Sequence, residues 1–179
     1  MPLLMLKDVP RYECLLEAAE QFPDLDPTAC EAYLHVLRAG DEAFRVCQEN
    51  LAAHDLSQGR FTVLMLLLDK KLNTPLSLTP AELADKAGVA RATMTGLVDT
   101  LERDGLVKRE PDPVDRRMMS VTLTPRGRES LAAVLPPHFQ LMAALMHPLT
   151  EPERKTLVRL LGKIVSRAAE LRPTPAEIA

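Results

Sequence analysis

Apolar positions recur at helical spacing over most of this chain and at strand spacing in one short stretch. Between Pro10 and Phe22, Cys14, Leu15, Ala18 and Ala19 share one side, and the Phe22-Pro23 step ends the segment, because the residue before a proline is pushed out of helix. From about Pro27 to His54, Cys30, Leu34, Leu37, Gly40, Phe44, Cys47 and Leu51 advance by threes and fours, a stripe that seeks a partner helix. The stretch from about Ser57 to Lys71 is apolar almost all round, at Phe61, Val63, Leu64, Met65, Leu66, Leu67 and Leu68, which predicts burial on several sides.

Thr79-Pro80-Ala81-Glu82 has the form of a capping box with proline at the first helical position, so a helix is predicted from Thr79 to the stop at Gly88. After Val89 a second helix carries Met94, Leu97, Val98 and Leu101 on one face, and Gly105 ends it. Two short helices joined by a tight glycine turn form a helix-turn-helix, in which the second helix is the one that recognises DNA. Leu106 to Pro111 and Met118 to Thr124 then read as a small hairpin. Val121 and Leu123 alternate with Ser120 and Thr122 in the return strand, and the tip, Asp112-Pro113-Val114-Asp115-Arg116-Arg117, is crowded with charge and proline.

Thr124-Pro125 opens a long helix with Leu131, Leu135, His138, Met142, Leu145 and Leu149 at heptad spacing, in which Pro136-Pro137 predict a kink. A second capping box, Thr150 to Glu153, opens the last helix, where Leu157, Leu161, Ile164, Ala168 and Leu171 repeat four and three apart. Long seams at both ends predict dimerisation through those ends.

The expected fold is therefore mainly α: a winged helix-turn-helix with a small β-hairpin wing and long N- and C-terminal dimerisation helices. Residues 1–26 form an N-terminal extension with an extra helix, 27–55 the first dimerisation helix, 56–124 the winged helix-turn-helix DNA-binding region, and 125–179 the C-terminal helices that complete the dimer interface.

Composition agrees with packed helices. The 179 residues include no Trp, two Tyr and four Phe, whereas strand-rich folds draw on aromatic and β-branched side chains. Three Cys exclude a fully paired internal disulfide framework, and their spacing fits no zinc knuckle. The absence of a signal-type N-terminus or a bilayer-spanning apolar run makes a cytoplasmic protein without membrane contact the expectation.

The net charge of -3 changes meaning once it is divided along the chain. Residues 1–55 hold four Lys or Arg (Lys7, Arg11, Arg38, Arg45) against eleven Asp or Glu, so the remainder is positive. Within 91–128 there are eight basic and six acidic residues, a mild bias that predicts modest non-specific affinity for DNA and rests the argument on where the arginines stand.

With this helix order, the hairpin and its Asp-x-Arg tip, the chain resembles the MarR family of winged-helix transcriptional regulators. The resemblance spans roughly residues 27–171. It is most specific in Leu-Thr-Pro-Ala-Glu-Leu-Ala (78–84), Leu-Val-Asp-Thr-Leu-Glu-Arg-Asp-Gly-Leu-Val (97–107), Asp-Pro-Val-Asp-Arg-Arg (112–117) and Leu-Thr-Pro-Arg-Gly-Arg (123–128). It implies a homodimer that binds double-stranded DNA at a pseudo-palindromic operator, represses transcription, and is released by a small phenolic or lipophilic ligand or by oxidation.

Position by position, the resemblance puts the minor-groove wing arginine at Arg117, beside Arg116, and its orienting carboxylate at Asp115. A carboxylate two residues back in a turn can hold a guanidinium as a pre-aimed fork. Major-groove contacts fall on Arg91, Thr93 and Thr95. Two departures stand out: Ala90 replaces a helix-capping Ser or Thr, and Gly96 replaces a DNA-contacting Arg. Members of the family that respond to urate use an N-terminal Trp and an Asp/Arg pair; this chain has no Trp and carries Thr62 and Leu97 at the pair. An apolar pocket bordered by Phe61, Met65 and Leu97 would instead suit a small lipophilic or aromatic effector.

Each of these residues also has a plainer reading. Thr93 and Thr95 could bond a carbonyl in the preceding turn. Cys30 and Cys47, on an apolar stripe with no basic neighbours, read as buried structural thiols; Cys14, beside Arg11 and Tyr12, is the more open to redox chemistry. The histidines at 35, 54, 138 and 147 lack metal-pair spacing, and His138 falls on the dimer-type stripe. No catalytic triad, P-loop or glycine-rich fingerprint is present, so no catalysis, cofactor or metal is expected. The alternative function is a winged-helix protein-interaction module that does not bind specific DNA.

Overall fold

The computed structural model describes residues 8–68, 76–111 and 118–172. In chain order they form helices α1 (Tyr12–Gln21), α2 (Pro27–Ala52), α3 (Gln58–Leu66), α4 (Pro80–Ala87) and α5 (Arg91–Arg103), strands β1 (Val107–Pro111) and β2 (Met119–Leu123), and helices α6 (Pro125–Met146) and α7 (Glu151–Glu170). The wing tip with Asp115, Arg116 and Arg117, and the end expected for the third helix at Lys71, lie outside the described residues.

Local chemistry sets most helix boundaries. Asp26 accepts from the amides of Thr28 at 3.0 Å and Ala29 at 3.1 Å at the head of α2, and the Thr28 hydroxyl donates to the same oxygen. At α4 both halves of the capping box are made, from the Glu82 amide to Thr79 Oγ1 (3.3 Å) and from the Thr79 amide to Glu82 Oε2 (2.8 Å). Gly88 (φ 65°) ends α4 and Gly105 (φ 71°) follows α5, both in the left-handed region that costs glycine least. The helix expected to reach Lys71 ends at Leu66. Its C-cap is Leu67, whose carbonyl accepts from the Leu76 amide at 2.8 Å as the chain folds back.

Contacts divide the chain into two units, Met1–Phe139 and Gln140–Ala179. The division falls inside α6 because its first half buries Leu131, Val134 and His138. The core of the first unit gathers Leu51 of α2, Phe61, Val63 and Leu64 of α3, Leu83 of α4, Met94, Val98 and Leu101 of α5, Val121 and Leu123 of β2, and Leu131 and Val134 of α6. The strands pair antiparallel from Val107 opposite Leu123 to Pro111 opposite Met119, and Leu78 bridges to Val121. Ser120 is buried as well as Val121, so the outward side of β2 is covered at that point.

In the second unit α7 has no buried residue; Val158, Ile164 and Val165 are exposed, Val158 to 71%. α6 continues without a break through Pro136 and Pro137. Among the described residues no helix is long and apolar enough to cross a membrane.

Candidate nucleic-acid interface

The inner face of α5 is anchored by Met94, Val98 and Leu101, all fully buried, each contributing about 1.5–3 kcal/mol by removal from water. Leu97 settles over the first turn of α3 at Gly59, where a Cβ would lie 3.1 Å from Leu97 Cδ2. This anchorage leaves Arg91, Thr93, Thr95 and Gly96 exposed on the leading turns. Ala90, extended at φ -63° and ψ 146°, supplies no side-chain cap, so no side chain of the N-cap engages the first-turn amides, which point where an anion would approach. The Thr95 hydroxyl donates to the Arg91 carbonyl at 3.0 Å, the local bond anticipated as its plainer reading, and keeps only acceptor capacity for a base edge.

The base of the wing is tied down on two sides. Thr124 Oγ1 donates to the Gly105 carbonyl at 2.7 Å and accepts from the Gly127 amide at 3.0 Å, joining the end of β2 to the turn after α5 and the start of α6. Arg109 of β1 reaches back to α5: Nη2 donates to Asp99 Oδ1 at 2.6 Å, Nη1 to Glu102 Oε2, and its backbone amide to Glu102 Oε1 at 3.0 Å. Partial burial works against the Arg109 charge, but its bonds to Asp99 and Glu102 outweigh that and hold its pKa above the ordinary arginine value. At the C-terminal end of α5, just past Glu102, Arg60 of α3 bonds Asp104 and donates to the Asp55 carbonyl at 2.9 Å. The recognition helix, the wing base and α3 are thus joined by charge-assisted bonds.

A MarR family model matches residues 56–119, from the α2–α3 turn into the wing. The repressor YetL of Bacillus subtilis is 36% identical over 162 residues, covering 90% of this chain and 95% of YetL. The chain belongs to the MarR family. Among solved MarR-type structures, Bordetella bronchiseptica BpsR, whose DNA binding is regulated by 6-hydroxynicotinic acid, superposes with a TM-score of 0.63 at 28% identity over 73% of this chain and 91% of BpsR. A mutant of Escherichia coli MarR complexed with operator DNA gives 0.59 at 29% identity over 72% of this chain and 89% of that one. As a MarR-family transcriptional regulator, the chain carries its family's winged helix-turn-helix in α4, α5, β1 and β2.

Beside α3 of this MarR-type domain lies a cavity of about 430 Å³, walled by Phe61, Met65, Leu66, Leu68, Leu76 and Leu78, with Gln58, Thr62 and Lys86 as its polar groups. Phe61 and Met65 line it as expected. Leu97 does not, because it is spent on the contact with Gly59. Gln58 and Lys86 were not legible beforehand: Lys86 reaches α3 only through the fold of α4, and no spacing along the chain signals that approach.

Two further expectations are corrected. His138, read as part of a dimer seam, is buried in the first unit against Phe61, ring centroids 4.8 Å apart and planes at 59°, and its Nδ1 has no hydrogen-bond partner among the described residues. Cys30 and Cys47 are half-buried rather than buried, because the α2 stripe is only partly covered within one chain; Cys14 is exposed, and all three thiols are free. Among the described residues no three His, Cys, Asp or Glu gather to hold a metal ion.

Proposed function

We propose that this MarR-family regulator is a sequence-specific repressor that binds a pseudo-palindromic operator as a homodimer and is released by a small effector. The observation that carries the reading is the exposed lead of α5, with Arg91, Thr93 and Thr95 outward, held against a braced wing base. In this reading Arg91, Thr93 and Thr95 face base edges and phosphates in the major groove. Arg117, oriented by Asp115 and accompanied by Arg116, enters the minor groove. The repressor names of the relatives and the operator-bound neighbour favour it over the protein-interaction alternative. Nothing in it calls for catalysis, a metal or a cofactor, and its DNA target makes the cytoplasm its compartment.

The effector of this reading is a small lipophilic or aromatic molecule taken up beside Phe61 and Met65. A cavity of about 430 Å³ with mainly apolar walls and a few polar groups has the size and character of a small-molecule site. BpsR, regulated by a ring acid, is a precedent in a structural relative.

The deciding experiment selects duplexes from a random-sequence pool with the purified protein and footprints the enriched DNA. The expected product is an inverted repeat with half-site centres about 10 bp, or a multiple of that, apart. Arg117→Ala should weaken binding to that duplex by about 1–3 kcal/mol and lower the salt slope by about one per half-site. Enrichment of no sequence, or Arg117→Ala binding like wild type at every salt concentration, would sink the reading.

A further inference from the structure

A carboxylate occupies an awkward place on α5. At about 100° per residue, Asp99 projects between Arg91 and Gly96, near the centre of the exposed face that also carries Thr95 and Arg103. Its side chain is 57% exposed, and Glu102 stands at the edge of the same face. A surface meant for a polyanion gains nothing from two acids, and here they equal in number the arginines at 91 and 103, leaving that face without net charge. Among the described residues the one cation paired with either acid is Arg109, which reaches both from β1 and is itself only 23% exposed.

We propose that Arg109 is the residue that makes α5 acceptable to DNA, by cancelling the charge of Asp99 and Glu102 so that neither opposes Arg91 or Arg103 at the phosphates; Asp104, 3.6 Å from Arg103, is itself bonded by Arg60. The proposal rests on the reading that α5 binds DNA. Arg109 acts through the two acids and need touch no nucleotide, which makes it a positioning residue for charge rather than a base reader. A simple brace between wing and helix would use the same bonds but depend on their geometry. A cancelled charge depends on charge alone.

The two are separated by measuring binding to the duplex selected with the wild-type protein, across a salt series, with thermal melts to confirm folding. Arg109→Gln should weaken binding by about tenfold or more at low salt, with the deficit shrinking as salt rises. Arg109→Lys, which keeps the charge and loses the fork, should stay within about threefold of wild type. Asp99→Asn combined with Glu102→Gln should bind at least as tightly as wild type, and adding both to Arg109→Gln should restore what that change lost. If the two carboxamides, or Arg109→Lys, weaken binding as much as Arg109→Gln does, geometry and not charge is what Arg109 supplies and the proposal is overturned. Should Arg109→Gln fail to fold, the Lys variant and the carboxamide pair decide alone. Failure of the wild-type protein to enrich any duplex would remove the DNA-binding reading itself, a result distinct from any among the variants.

Discussion

Among the glycines, Gly127 is the one where an added methyl group would meet the closest obstacle. A Cβ there would stand 2.0 Å from the Leu106 carbonyl oxygen, a backbone atom that cannot swing aside, and 3.3 Å from Leu123 Cδ2. Gly127→Ala should therefore force α6 off the wing base and destabilise the domain by about 3 kcal/mol, read as a lowered urea midpoint; an unchanged midpoint would show that the approach relaxes freely. None of this was legible beforehand, since nothing in Leu-Thr-Pro-Arg-Gly-Arg says that a distant carbonyl closes on its glycine. The fork of Arg109, the loss of Leu97 from the cavity and the burial of His138 escaped for the same reason: each depends on a neighbour brought by tertiary approach. Thr79 with Glu82 was legible because both partners sit within one turn.

The elements themselves were mostly readable, because apolar period and local caps decide them before any packing does. The exception was the end of α3, where an unbroken apolar run gives no stop signal and the fold-back of Leu76 onto Leu67 supplies one. Two helix starts yield predictions. Ala90 already has the extended backbone a capping residue needs, so Ala90→Ser should let a hydroxyl accept from a first-turn amide of α5 and raise stability by about 0.5–1 kcal/mol in chemical denaturation. At α2, the hydroxyl of Thr28 and then the amide of Ala29 hold the Asp26 pKa below the usual carboxylate value. A pKa lower in the folded than in the unfolded chain means that this cap contributes in full above the unfolded value and is lost as pH falls through the folded one. Denaturation midpoints taken from pH 7 downward should thus decline less steeply below about pH 4 in Asp26→Asn than in wild type; equal slopes would show that Asp26 has no part in the acid response.

Exposed apolar side chains on α7 set the expectation for assembly. Leu161, Ile164 and Val165 lie bare on a helix with no buried residue, and a run of that kind seeks a second surface. Sedimentation at micromolar concentration should give a single dimeric species, and Leu161→Glu with Ile164→Glu should shift it to monomer and abolish operator binding; a wild-type monomer, or a doubly charged variant that stays dimeric, would contradict this. Heptad spacing in the last helix anticipated its apolar stripe, which is exposed in one chain, whereas the same spacing misplaced His138, since a stripe announces burial without naming the partner. Pro136 and Pro137 stand in α6 just ahead of the division between the two units. Each proline lacks the amide that would have bonded four residues back, at the carbonyls of Ala132 and Ala133, both on exposed residues. α6 therefore runs through this point with two backbone donors fewer than a proline-free helix of its length.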